Sequence, residues 1–222
     1  MKNTELIVAH KPKSSVAEAI KNIRTNLQFS AVNGDVKSIL VTSSMPGEGK
    51  SFVASNLAVA FAQAGSKVLI VDCDMRRGRL HEIFNVNNDK GLSLLLIDEI
   101  SEKSTKYFKK TEVPNLFVLP RGIVPPNPSE ILASEKNKKL SEILENKFDV
   151  VIYDGVPVSG LADAIIMADL VDKIVIVSAY KQTKMEQLQN TKKALEKFQD
   201  KIAGVVLNKL PEKKNHYYSY YN

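Results

Sequence analysis

The run Ser44, Met45, Pro46, Gly47, Glu48, Gly49, Lys50, Ser51 keeps the spacing G-x-x-x-x-G-K-[ST], with Ser44 in place of the leading glycine. Glycines at 47 and 49 let a backbone turn its N–H groups toward phosphate oxygens. Lys50 is then placed to neutralise the β- and γ-phosphates of a nucleotide, and Ser51 to hold Mg²⁺. Phe52 carries the loop into the next element. A chance glycine-rich turn has the same composition, but it lacks the apolar strand before the loop and the helix after it that this chain supplies.

Three acids extend that chemistry. VLIVDCDMRR ends an apolar run on Asp72 and Asp74, with Arg76 and Arg77 just beyond, and FDVVIYD ends another on Asp154. An aspartate at a strand tip is either a loop cap or a ligand for the water shell of a metal. Three of them beside one phosphate loop favour the second reading. In a phosphoryl transfer, Asp72 is placed to orient the attacking hydroxyl and accept its proton, while Asp74 and Asp154 hold the Mg²⁺ shell. Arg76 offsets charge developing on the phosphoryl group; Arg77 either shares that role or is simply solvated. Asn208 either meets the adenine edge or makes a plain turn. Cys73 is expected to point into the sheet, and His10, His81 and His216 lack the spacing of a metal site.

The acceptor is written into the other end of the chain. Seven tyrosines in 222 residues put only about 0.2 in a six-residue window by composition. Tyr217, Tyr218, Tyr220 and Tyr221 nevertheless all fall in the last six residues. They are either an aromatic patch folded back on the domain or exposed hydroxyls within reach of a neighbouring site.

The elements that position these groups follow from hydrophobic pattern. Apolar spacing over residues 15–32 suits an amphipathic helix. KSILVTSS is a strand, and residues 50–64 a helix stopped by Gly65. KVLIVDCD, NLFVLP, FDVVIYD, KIVIVSAY and KIAGVVLN are five further strands, with helices over 129–145, 161–170 and 184–198. Apolar strands without polar alternation are buried on both faces, and helices between them make a parallel sheet. The expected fold is therefore a doubly wound α/β domain, mostly parallel and flanked by helices, with Ser43, Asp72, Asp154 and Asn208 facing one crevice. Residues 1–14 are expected to be a mobile segment, 15–210 the domain, and 211–222 a flexible tyrosine-rich tail.

Bulk properties agree. With 44% hydrophobic residues the chain can bury a sizeable core, and its single cysteine excludes an internal disulfide or a multi-cysteine metal centre. No apolar run approaches the roughly 20 residues of a spanning helix, and the first residues lack a signal-peptide core. The net charge of +6 comes from lysines scattered over EKNKK, TKK and PEKK. That is a solvated surface rather than a nucleic-acid interface.

Taken together, TSSMPGEGKS, VLIVDCDMR, FDVVIYD, VPPNPSEIL and the terminal tyrosines resemble the bacterial tyrosine kinases of capsule and exopolysaccharide assembly, over nearly the whole chain from about Lys11. The resemblance implies a P-loop domain that uses ATP and Mg²⁺. It also implies ring-like self-association, phosphorylation of each tail by a neighbour, a transmembrane polysaccharide co-polymerase as activator, and a tyrosine phosphatase as its counterpart. It places the kinase at the cytoplasmic face of the membrane. The family's helical association motif E-x-x-R-x-x-R reads Glu18, Lys21, Arg24 here, and Lys21 keeps the charge without arginine's planar fork. Those three residues either make a subunit contact or pair within their own helix. After Asp154 the family's D-T-P-P reads Gly155, Val156, Pro157.

Two rivals share the phosphate loop. A partitioning-type P-loop ATPase carries a second lysine where this chain has Met45, and has no evident use for the tail. A catalytically weak nucleotide-binding switch acts by assembly alone.

Overall fold

The computed structural model describes residues 5–30, 35–98, 106–159 and 162–211. Seven strands form one sheet in the order β3-β4-β2-β5-β1-β6-β7. They are β1 (Ser38–Ser43), β2 (Val68–Asp72), β3 (Lys109–Lys110), β4 (Leu116–Leu119), β5 (Val150–Pro157), β6 (Lys173–Ala179) and β7 (Ile202–Asn208). Every pairing is parallel except the edge pair β3–β4.

The period-2 geometry of the strands splits the interior into two cores. Ile39, Val41, Val68, Ile70 and Ile152 face one side, which is covered by α1 (Ile7–His10), α2 (Ser15–Phe29), α3 (Lys50–Gln63) and α4 (Leu80–Ile83). Leu40, Leu69, Val71, Val151 and Tyr153 face the other. That side is covered by α5 (Leu92–Ile97), α6 (Pro128–Leu132), α7 (Glu135–Lys147) and α8 (Ala162–Asp169). Helix α9 (Met185–Ala194) and a 3₁₀ segment (Glu196–Lys201) lead into β7. The doubly wound reading holds.

Helix α3 is buried on nearly every side: Ser51 and Phe52 are half-buried and only Gln63 is exposed. A helix apolar all round must be enclosed, and here the sheet, α2 and the N-terminal segment enclose it. Within the segment 1–14 expected to be mobile, residues 6–9 pack against this core. Leu6 and Val8 are buried, the Val8 N–H donates to Asn56 Oδ1 at 3.0 Å, and Asn56 Nδ2 donates to the Glu5 carbonyl at 2.8 Å. Glu5 also meets Arg79 at 2.9 Å.

Three further differences have local causes. The helix expected over 129–145 is two, because Ser134 caps a new start by accepting from the Asn137 N–H. The helix expected over 184–198 tightens into the 3₁₀ segment after Ala194. The first helix ends at Phe29 rather than 32, where Ser30 turns back onto the Leu27 carbonyl. Pro211 is the last described residue, so the tail with Tyr217, Tyr218, Tyr220 and Tyr221 lies outside the described residues.

Candidate active site

The strand order sets β5 between β1 and β2, so the tips of β1, β5 and β2 lie side by side. Asp72 pairs with Asp154 in register, Asp154 pairs with Val41, and the Cys73 N–H donates to the Asp154 carbonyl at 3.0 Å. Both acids thus stand at one level beside the phosphate loop, as expected for the crevice of an open α/β sheet.

The loop itself is braced by its own acid. Glu48 is buried; its carboxylate accepts from the Met45 N–H at 2.8 Å and from the Thr183 hydroxyl, and its carbonyl accepts from Asn208 Nδ2 at 2.9 Å. Ser43 Oγ donates to the Met45 carbonyl at 2.8 Å. Gly49 then turns with φ +98° to begin α3 at Lys50. Ser44 is buried, and its hydroxyl has no hydrogen-bond partner among the described residues. Asn208, assigned above to the adenine edge or a turn, commits its amide to the loop. Thr183 escaped sequence reading because nothing local marks it.

A Cβ on Gly49 would stand 2.0 Å from Asn208 Nδ2, at a φ that L-residues avoid. Gly49→Ala therefore either breaks the Asn208 brace or flattens the turn. Nucleotide affinity is expected to fall by about tenfold or more, the effect of roughly 1.4 kcal/mol. Fluorescent-nucleotide titration checks this, and unchanged affinity would show the turn to be dispensable.

The acids are held in an unsettled state. Asp72 and Asp154 are fully buried. Neither oxygen of Asp154, and only one of Asp72, has a hydrogen-bond partner among the described residues; Asp72 Oδ2 accepts from the Leu80 N–H at 3.1 Å. Burial pushes the Asp154 carboxyl up to about 6, against the pull of the Lys50 ammonium and the Ser51 hydroxyl beside it. Burial, and then the neighbouring Asp154, raise Asp72 well above the carboxylate range. Burial likewise raises Cys73, which packs into the core as expected. Bare, buried carboxylate oxygens next to a lysine and a serine are a donor set suited to a hard divalent cation.

A pH dependence follows. A folded-state pKa above the unfolded value means that the native state binds more protons, so stability falls as pH rises through about 6. For Asp154 the full effect is on the order of 3 kcal/mol, with about half of it present at pH 5. In EDTA, the melting temperature is expected to rise as pH drops from 7 to 5, and Asp154→Asn to raise it at pH 7 and flatten the slope. A steady fall over that interval would contradict the assignment.

Asp74 folds its own turn, its Oδ1 accepting from the Arg77 N–H at 2.8 Å and the Arg76 N–H at 3.3 Å. Arg77 is exposed. The Arg76 guanidinium is paired with the buried carboxylate of Asp163. Arg121, which sequence reading missed, donates from Nε to the Gly78 carbonyl at 3.2 Å, and its charge pulls Asp72 down. Gly78 lies flat on Asp72, where a Cβ would stand 2.1 Å from Oδ1. At Gly155 a Cβ would meet Leu40 Cδ1 at 2.7 Å. This chain has thus filled with Leu40 the space that a threonine would need there.

Helix α2 keeps its charges occupied. Lys21 Nζ meets Glu18 Oε1 and the Pro12 carbonyl, each at 2.8 Å, and Arg24 Nη1 reaches the Ala60 carbonyl at 3.3 Å. Glu18 and Lys21 thus pair within the helix.

Residues 36–208 match the AAA domain family. The chain is 40% identical over 216 residues to the putative tyrosine-protein kinase CapB of Staphylococcus aureus, covering 97% of this chain and 94% of that protein. The chain belongs to the bacterial tyrosine kinases. Among solved structures, this kinase matches the chimerical protein CapA2B2 with TM-score 0.88 at 39% identity, over 94% of this chain and 91% of that one. The kinase domain of Escherichia coli tyrosine kinase ETK gives TM-score 0.85 at 30% identity, over 98% and 86%. The septum site-determining protein MinD of Pyrococcus horikoshii, at 23% identity and TM-score 0.66, shares the fold alone. Of the alternatives weighed above, the tyrosine-kinase reading stands.

Proposed function

We propose that this kinase transfers the γ-phosphate of Mg-ATP to Tyr217, Tyr218, Tyr220 and Tyr221 of a neighbouring copy. The observation that carries the reading is the pair of buried carboxylates, Asp72 and Asp154, in register beside the lysine of a phosphate loop, with three of their four oxygens lacking a hydrogen-bond partner among the described residues. Ser44, Pro46, Gly47, Glu48, Gly49 and Phe52 shape the cradle, and Lys50 meets the γ-phosphate. Asp72, in register with Asp154 at the strand tips and with its carboxyl raised by burial, is the group suited to take the tyrosine proton. Ser51, Asp74 and Asp154 hold Mg²⁺, which supplies charge neutralisation on the phosphates. Arg76 faces the negative charge that develops on the transferring group. Asn208 braces the loop and borders the adenine.

The family resemblance extends the proposal to a ring-like homo-oligomer and to a transmembrane polysaccharide co-polymerase as activator at the cytoplasmic face of the membrane. It further adds a tyrosine phosphatase as counterpart and regulation of capsular or extracellular polysaccharide synthesis as the outcome. No helix among the described residues is long and apolar enough to cross a membrane.

Labelled ATP tests the chemistry. Wild-type protein should gain phosphotyrosine in Mg²⁺ and lose it in EDTA. A variant with the four terminal tyrosines changed to phenylalanine should take up almost none. Label retained in that variant would move the acceptor elsewhere.

Assembly is tested apart from chemistry. Changing Glu18, Lys21 and Arg24 to alanine should shift the mass seen by light scattering toward monomer. Because Arg24 also supports the Ala60 carbonyl, Glu18→Lys alone serves as the control for stability. An unchanged mass in both would mean that these charges do not join subunits.

A further inference from the structure

Among the described residues, the segment VPPNPSEIL makes no hydrogen bond to the phosphate loop or its acids, yet its serine reaches Arg76. Ser129, in the first turn of α6, donates from Oγ to Asp163 Oδ1 at 2.5 Å and accepts from Arg76 Nη2 at 3.3 Å. Asp163, in the first turn of α8, gives its other oxygen to Arg76 Nη1. The three side chains close a ring across sequence separations of 87, 53 and 34 residues. The ring joins the turn after β2, the segment after β4 and the helix after β5.

We propose that Ser129 and Asp163 are positioning residues that hold the Arg76 guanidinium at the mouth of the phosphoryl-transfer site. The inference rests on the role given to Arg76 under the proposed function. Burial argues for it: the Asp163 side chain is 1% exposed whereas that of Arg76 is 35% exposed. A surface ion pair leaves both partners wet and is worth little. Here the acid is sunk into the wall and aims a cation whose outer face stays open. The other end of Arg76 is fixed as well, its N–H donating to Asp74 Oδ1 at 3.3 Å. A long, flexible side chain is thus held at base and head before substrate arrives. That is the condition under which a donor stabilises developing charge without reorganising. A buried pair serving stability alone is replaceable by apolar residues of similar volume, which leaves the exposed guanidinium without purpose.

A double-mutant cycle decides it. The full-length chain is assayed with labelled ATP and magnesium, using an excess of Lys50→Met chain as acceptor, and ADP affinity is measured by fluorescent-nucleotide titration. Arg76→Ala is expected to lower kcat by roughly 10²-fold. Asp163→Asn and Ser129→Ala should each lower kcat several-fold, with ADP affinity within about twofold of wild type. Ser129→Thr, which keeps the hydroxyl, should restore most of the rate. In the Arg76→Ala background both losses should vanish, since residues that act through one group are not additive. Losses of the same size in that background would make the ring structural and overturn the proposal. A rise in kcat for Asp163→Asn would overturn it too, by showing that the acid holds Arg76 back. If Arg76→Ala runs at the wild-type rate, it is the charge role of Arg76 that falls. Ser129→Ala removes one oxygen from a half-buried position, so it keeps the test open should Asp163→Asn fail to fold.

Discussion

Lys50→Met is expected to leave about 1% or less of the wild-type phosphotyrosine rate while the protein remains folded. The loss follows from removing the one ammonium that heads α3 at the phosphate loop, a deletion comparable with losing a preorganised oxyanion donor, worth roughly 10²–10³-fold. The fold survives because methionine retraces the buried stem of the lysine. Asp154 simply loses the charge that pulls its carboxyl down and holds its proton to a higher pH. The melting temperature should therefore move by only a few degrees. Anti-phosphotyrosine blotting and a thermal melt read the two halves separately. Labelling at the wild-type rate would remove the loop from the reaction.

That dead chain becomes the reagent for the second expectation. Mixed with an active chain whose Tyr217, Tyr218, Tyr220 and Tyr221 are phenylalanine, the Lys50→Met chain should become phosphorylated, faster as total protein increases. Strand β7 ends at Asn208 beside the phosphate loop, and the chain leaves through Pro211, whose ring stiffens the exit. A site that closed on its own tail would tend to stay blocked by product. Each added phosphate brings ≈ −1.5 to −2 charge, which would push modified tails away from the acids. If the dead chain stays unlabelled while wild type labels itself at a rate independent of concentration, transfer runs within one chain and the proposed assembly has no catalytic purpose.

What could be read from sequence was what is local. The phosphate loop, its strand and its helix are one continuous stretch, and the tips at Asp72 and Asp154 follow from apolar runs that stop on an acid. Partners across the fold left no such trace. Thr183, Arg121, Ser129 and Asp163 matter only through atoms that folding brings to them from 34 to 135 residues away. Leu6 and Val8 carry no burial signal in the sequence, because a four-residue helix shows no period; Asn56, reaching out of α3, fastens the segment that holds them. The break at Ser134 leaves a local mark, a serine followed by the acidic Glu135, but the apolar spacing runs on through it.

Because α3 is enclosed by sheet, helix and N-terminal strap, evolution has almost no free face on which to adjust it. A substitution along Val53–Ala62 trades packing for packing and reaches the nucleotide only by loosening the whole domain. Drift in nucleotide affinity between relatives should accordingly collect where the loop meets its brace, in residues 44–49 and around 208, which touch through the Glu48 carbonyl and Asn208 Nδ2, while the helix that follows the loop stays small-sided and nearly invariant. A deep mutational scan scored separately for abundance and for ATP binding would draw that boundary directly, with the helix positions lost on the first score and the loop positions on the second.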